Sequence, residues 1–136
     1  MDISQAMFSQ LKATAGIVAL TSNRVYPLIA PQKSLFPHLI YHQISNVPPV
    51  HTMLADPKIS RYRFQISSWA TSYSGMIALS TQVKTSLRDK TGTIGSSNFN
   101  VQRIFFDGET DLPDINPITE NIIFHRAQDF IVWSTG

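Results

Sequence analysis

The sequence predicts an α+β fold, a mostly antiparallel sheet of about four strands with two principal helices packed on one face. Two patterns carry this prediction. Polar and apolar residues alternate through 61–67, so that Tyr62, Phe64 and Ile66 point to one side, as in a half-buried strand. After Trp69 the pattern changes to a helical spacing. The helical stripe consists of Tyr73, Met76, Ile77, Ser80, Val83 and Leu87.

The first helix is predicted over residues 2–20, where apolar residues recur every three or four positions. Asp2 is a suitable N-cap, and Ser22 with Asn23 provides a stop. Gly16 interrupts or ends this helix, which leaves a second interpretation in which residues 17–20 form a short extra turn after a break.

Alternation and apolar runs predict the four strands. They are residues 39–45, 61–69, 99–106 and 122–133, with the second antiparallel to the first. The second helix is predicted over 71–89, with Thr71 or Ser72 as its N-cap. Loops rich in proline, glycine or small polar residues separate these elements. They are residues 24–37 (with at most a short edge strand), 48–57, 92–98 and 107–117. The apolar faces predict that Phe8, Leu11, Phe64, Ile66, Ile77 and Val83 are buried.

Composition favours one domain over residues 1–136 and excludes several classes of function. The absence of cysteine excludes disulfides, thiolate catalysis and Cys-based zinc sites. No apolar run reaches the roughly 18 residues of a membrane span, and the acidic N-terminus does not resemble a secretory signal, so we expect a cytosolic protein without membrane contact. The net charge of +2 does not indicate nucleic-acid binding. Charged residues make up only 15%, which indicates either a surface that faces protein or a neutral polar surface.

The chain has no pattern typical of an enzyme, and we expect no catalytic residue, metal or cofactor. His38 and His42 would lie roughly 13 Å apart on one strand, too far to bind one metal. The acids between 107 and 114 are predicted to form a solvated loop, with a calcium-binding loop as the alternative. An enzyme or ligand-binding domain would depend on His42, His125 and Asp129, which no motif supports.

Three arginines suggest an alternative function as a small nucleic-acid-binding module. Arg61 and Arg63 share the polar face of one strand, and Arg126 is predicted on a neighbouring strand. The same arginines would also suit the rim of a protein interface or a solvated sheet face. Trp69 and Trp133 are either anchors of an interface or parts of the core.

The ordered set of segments resembles the phage tail-completion family. The segments are residues 17–20, 23–27, 31–32, 36–41, 61–70 and 126–133, which cover nearly the whole chain. Ser67-Ser68 before Trp69 and the long loop 92–97 depart from the family pattern. The resemblance implies a structural virion protein, a tail terminator or head-to-tail joining protein. It implies a ring, most often of six subunits, that caps the tail tube, with the tube protein and the head connector as partners and DNA passing through the lumen. It also implies assembly in the host cytoplasm and a final place in the virion.

Two regions are candidate assembly surfaces. Arg61 and Arg63 are expected to make polar contacts between subunits or towards the lumen. The loop 48–57 carries Val50, Met53 and Leu54 and is therefore unusually apolar for a loop that meets only water. We expect this loop to act as an arm that reaches a neighbour or the tail tube, or else to pack back on its own domain.

Overall fold

A computed structural model describes residues 3–29, 35–47, 60–94, 99–115 and 122–134. Within these ranges the chain forms three helices and six strands. The helices are α1 (Ile3–Ala13), α2 (Ala15–Thr21) and α3 (Tyr73–Leu87). The strands are β1 (Val25–Pro27), β2 (His38–Val47), β3 (Ser60–Ala70), β4 (Gly92–Ile94), β5 (Phe99–Ile115) and β6 (Ile122–Ser134). The α+β class is therefore confirmed, whereas the prediction of about four strands and two principal helices is too low.

The six strands form one mixed sheet in the order β1-β2-β3-β6-β5-β4. β1 runs parallel to β2, and every other neighbouring pair is antiparallel, which includes the predicted β2–β3 pair. β1 and β4 have three residues each and form the two edges of the sheet. β1 lies in the segment 24–37, for which at most a short edge strand was expected, whereas β4 was not predicted. Strands this short carry too few residues for a period-2 pattern to be visible in the sequence.

The third predicted strand continues far beyond its expected end at residue 106. β5 spans 17 residues and includes most of the stretch that was predicted to be a turn and loop. The register shifts between Phe106 and Gly108, so a bulge at Asp107 interrupts the pairing without ending the strand. Pro113 is tolerated because, among the described strands, β5 pairs there with β6 alone, and an edge strand can lack an N–H group.

The predicted N-terminal helix is broken at Thr14 rather than at Gly16. Thr14 has an extended backbone, and its hydroxyl lies 2.9 Å from the Gln10 carbonyl oxygen and 2.7 Å from the Ser86 hydroxyl oxygen. A side chain that bonds the backbone in this way competes with helix continuation. Gly16 lies inside α2, where an added Cβ would be 2.0 Å from the side-chain oxygen of Gln82 on α3, so the glycine permits close packing of the two helices.

Helix α3 begins at the predicted cap and buries one stripe. The Ser72 hydroxyl accepts a hydrogen bond from the Gly75 N–H at 3.1 Å, which satisfies one of the free donors of the first turn. The buried stripe is Met76, Leu79, Ser80, Val83 and Leu87. Ile77 was predicted to be buried but is 37% exposed, because it lies about one-quarter turn from this stripe.

The core lies between the sheet and the three helices. Phe64 and Phe130 are fully buried directly opposite each other on β3 and β6, and Phe106 packs edge-on against Phe130. The burial of Leu11, Phe64, Ile66 and Val83 is confirmed, whereas Phe8 is only half-buried at the margin of the core.

Candidate assembly surface

The sheet has an inner face, covered by the helices, and an outer face. Phe64, Ile66 and Phe130 point inward and are buried. The residues that alternate with them point outward, and most are at least partly exposed. Outward residues on β3, β6 and β5 include Arg61, Arg63, Gln65, Asp129, Ile131, Trp133, Arg103 and Phe105. In the described ranges, no helix packs on this outer face.

Arg63 does point to the outer face, as predicted, but it is engaged within the chain. Its Nη2 donates to Asp107 Oδ2 at 2.7 Å and lies 3.6 Å from Asp129 Oδ2. Gln65 Nε2 donates to the other oxygen of Asp129 at 3.5 Å. These pairs are between one-third and two-fifths exposed, so each contributes at most about 1 kcal/mol. Arg61 is exposed on the same face.

Arg126 does not join the predicted basic stripe, because it points to the inner face. It lies directly opposite Ser68 and Asp111, and its Nη1 donates to the Ser80 hydroxyl on α3 at 3.2 Å. Its Nε and Nη2 donate to the two oxygens of Asp111 at 2.5 and 3.0 Å. The side chain is only 14% exposed. Arg126 therefore lies between the sheet and α3, where it links Asp111 on β5 to Ser80 on α3, and is not part of the predicted nucleic-acid surface. We call this group of contacts the inner clamp.

The acids predicted to form one loop lie on β5 and have separate partners. Asp107 pairs with Arg63 on the outer face. Glu109 lies 3.7 Å from Lys84 Nζ and accepts from Gln128 Nε2 at 3.2 Å on the inner face. The hydrogen bonds from Arg126 lower the pKa of Asp111 below its ordinary value. Among the described residues, no three His, Asp or Glu side chains are grouped to hold a metal ion.

A row of stacked rings crosses the outer face of β2, β3 and β6. His38 lies opposite Trp69, which lies opposite His125. The Trp69 and His125 rings are nearly parallel at 3.9 Å, and His38 and Trp69 are stacked at 6.2 Å. The Phe36 ring also packs on His38, with 4.8 Å between the ring centres. Burial lowers the pKa of His38, so the ring is neutral near pH 7. Trp69 is therefore half-buried within this row rather than presented as a free anchor.

The residues suggested for an enzyme are not brought together. His42 is exposed on β2, and His125 is stacked on Trp69. Asp129 is four residues from His125 along β6, roughly 13 Å away, and it faces Gln65 and Arg63.

A groove that the sequence did not reveal lies at the other end of the outer face. Gln102, Arg103, Phe105 and Trp133 line it, and its volume is about 440 Å³. Phe105 is 45% exposed, and the Arg103 guanidinium carbon lies 5.8 Å from the centre of its ring. The register shifts between Val101 and Arg103, which leaves Gln102 as a bulge at the rim. Trp133 is thus half-buried and lines a surface groove, and its role as an interface anchor stays a prediction.

The predicted arm cannot be placed on this surface. Val50, Met53 and Leu54 lie outside the described residues, which end at Val47 and resume at Ser60. None of the helices in the described ranges has an apolar stretch that could cross a membrane.

The described part of the chain is an α+β domain with no helix on the outer face of its sheet and with several of its half-buried charges paired internally. A family model described as "Tail completion protein gp17" matches residues 5–125. The chain therefore belongs to the tail completion protein gp17 family and is a structural protein of the phage tail, which confirms the resemblance seen in the sequence.

The fold also matches a solved structure with little sequence similarity. A chain of the structure titled "Virion of native gene transfer agent (GTA) particle" superposes with a TM-score of 0.72 at 14% identity, over 98% of this chain and 95% of the other. At this identity the likeness shows a shared fold. None of the curated proteins compared with the chain matches it.

Proposed function

We propose that this protein is a tail terminator, which assembles into a ring of six subunits at the end of the tail tube, stops tube growth and joins the tail to the head. Its partners are further copies of itself, the tube protein and the head connector. The DNA passes through the lumen of the ring. Assembly takes place in the host cytoplasm, and the protein then stays in the virion.

The observation that carries this proposal, beside the family match, is the open outer face of the sheet. Half-exposed aromatic and aliphatic side chains such as Phe105, Trp133 and Ile131 lie on it, next to arginines. Aromatic residues and arginine are the residue types enriched at protein interfaces. A charged fraction of only 15% also reduces the desolvation cost when subunits meet. A joining ring needs such surfaces and needs no catalytic group.

Within this proposal, Arg61 is the stronger of the two predicted arginine contacts. It is exposed and lies directly opposite Trp133, whereas Arg63 is held by Asp107 and Asp129. We assign Arg61 to contacts between subunits, whereas Arg63 stabilises the outer face through its pairs with Asp107 and Asp129. The loop 48–57, which carries Val50, Met53 and Leu54, serves as the arm that reaches a neighbouring subunit or the tube.

The test is the mass and shape of the assembled protein, alone and bound to tail tubes. Six chains of 15.2 kDa form a closed ring of about 91 kDa, visible as a six-fold ring by electron microscopy. A protein that stays monomeric both in solution and on tubes, or that binds DNA as a monomer with strong salt dependence, contradicts the proposal.

A further inference from the structure

The groove on the outer face is a shallow, open site with an apolar floor beside two cationic residues. Trp133 lies directly opposite Arg61 on one side and directly opposite Arg103 on the other, so both arginines share its face. Phe105 forms the apolar wall, and the bulge at Gln102 opens the rim. Aromatic and arginine side chains around a concave site are typical of a surface that receives an apolar group from a partner.

The opposite end of the β5–β6 hairpin protrudes and is apolar on both of its faces. The pairing of β6 with β3 ends at Phe124, so Ile122 and the residue after it pair with β5 alone. Ile122 is 54% exposed on the inner side of this ribbon, and Leu112 is 46% exposed on the outer side. Tyr73, also half-exposed, touches Phe124 with its ring edge. A two-stranded ribbon with exposed apolar groups on both faces suits insertion between other surfaces better than contact with water.

Charge argues against a symmetric contact between two grooves. Arg61 is exposed and Arg103 is half-exposed, with Asp89 3.6 Å from the Arg103 Nε. Two grooves facing each other would bring four arginines together, which is disfavoured. At the other end of the hairpin, Arg126 pairs with Asp111, so this described pair adds no net charge. An apolar tip meets no such repulsion, and the favoured pairing is tip to groove.

We infer that the tip of the β5–β6 hairpin, formed by Leu112, Ile122 and Phe124, inserts into the Arg103–Phe105–Trp133 groove of the next copy of this chain. Each subunit then has one tip and one groove on the same hairpin, separated by roughly 23 Å from Phe105 to Leu112 and by roughly 36 Å from Trp133 to Ile122. This is a heterologous contact, the kind that closes into a ring when its rotation matches a whole turn. The inference rests on the proposed ring and names the surfaces that build it.

The absence of cysteine from the chain allows a direct test by disulfide trapping. Two single-cysteine proteins, Phe105→Cys and Ile122→Cys, are given tags of different mass, mixed and oxidised. We expect mixed dimers of the two proteins, and neither protein should form dimers with itself. Ala19→Cys, at an exposed position on α2, is the control and should not couple to Phe105→Cys. The double variant should give a ladder of covalent species that ends at the ring.

A matched pair of substitutions tests the contact without cysteines. Ile122→Asp should abolish the ring, whereas Ile77→Asp, at an exposed isoleucine on α3 that belongs to neither surface, should leave it intact. Circular dichroism and thermal unfolding confirm that both variants fold.

The outcomes distinguish failure of the tip-to-groove contact from failure of the proposed ring. A ring of the unmodified protein combined with no mixed dimers, or with self-dimers of either cysteine variant, overturns the tip-to-groove contact and leaves the proposed function in place. Coupling within one chain of the double variant also overturns it. Monomers that neither couple nor assemble on tail tubes contradict both the contact and the ring.

Discussion

Replacement of Phe64 by alanine should remove one of the largest fully buried side chains of the inner sheet face. Phe64 is fully buried and lies directly opposite Phe130 on the central strand pair, so its truncation leaves a cavity in the core. A buried Phe→Ala change costs about 3–5 kcal/mol. For a domain of this size that corresponds to a fall in Tm of roughly 10–20 °C. Phe105→Ala is the matched control, because Phe105 is 45% exposed on the opposite face and should cost less than about 1 kcal/mol.

The assay is urea unfolding followed by the fluorescence of Trp69 and Trp133, with far-ultraviolet circular dichroism as a second probe. Several protein concentrations are needed, because assembly into a ring would stabilise the folded chain by mass action. The free energy of unfolding is compared at the lowest concentration, where the subunits are separate. If Phe64→Ala costs no more than Phe105→Ala, the two faces of the sheet have been assigned the wrong way round.

Three further predictions concern pH, the inner clamp and the arm. Burial holds the pKa of His38 below 6.5, so the unfolded chain binds more protons at this residue. The free energy of unfolding should therefore decrease as the pH falls below about 6.5. A urea midpoint that does not change between neutral and acidic pH, or that changes by the same amount in His38→Phe, would refute this prediction. Arg126→Gln should cost about 1–3 kcal/mol and raise the pKa of Asp111 in an NMR titration, whereas Arg63→Gln should cost at most about 1 kcal/mol; equal costs would argue against the inner clamp. Deletion of residues 50–55 should leave a folded protein that no longer yields joined particles, and joined, infectious particles would disprove the arm.

The sequence was sufficient where a local period decides the structure. Alternation placed Phe64 and Ile66 on the inner face and Arg61 and Arg63 on the outer face, because neighbouring side chains of a strand must point to opposite sides. The cap at Ser72 was likewise predictable from its own side chain.

Errors arose where tertiary pairing overrides local signals. β5 continues through polar residues and Pro113 because an edge strand paired on one side tolerates them. The side of Arg126 was readable in principle, since it shares its parity with Phe130 and Val132 on β6. The position of Ile77 was also readable, because the stripe from Met76 to Leu87 is complete without it.

The groove was beyond the reach of the sequence. It depends on a bulge at Gln102 and on the alignment of Arg61, Arg103 and Trp133, three residues that are at least 30 positions apart in the chain. No period in the sequence encodes such an alignment, and a register shift of one residue would have turned Trp133 to the other face. An aromatic residue near a strand end can therefore be assigned to the exposed or the buried face only when the pairing register of its strand is known.

The most direct test of the proposed function is the length distribution of tails assembled in cells that lack this protein, measured by electron microscopy. A terminator is predicted to leave tails that are longer than normal, variable in length and separate from filled heads, and expression of the intact chain should restore uniform, joined tails. Tails of normal length joined to heads in its absence would contradict the account.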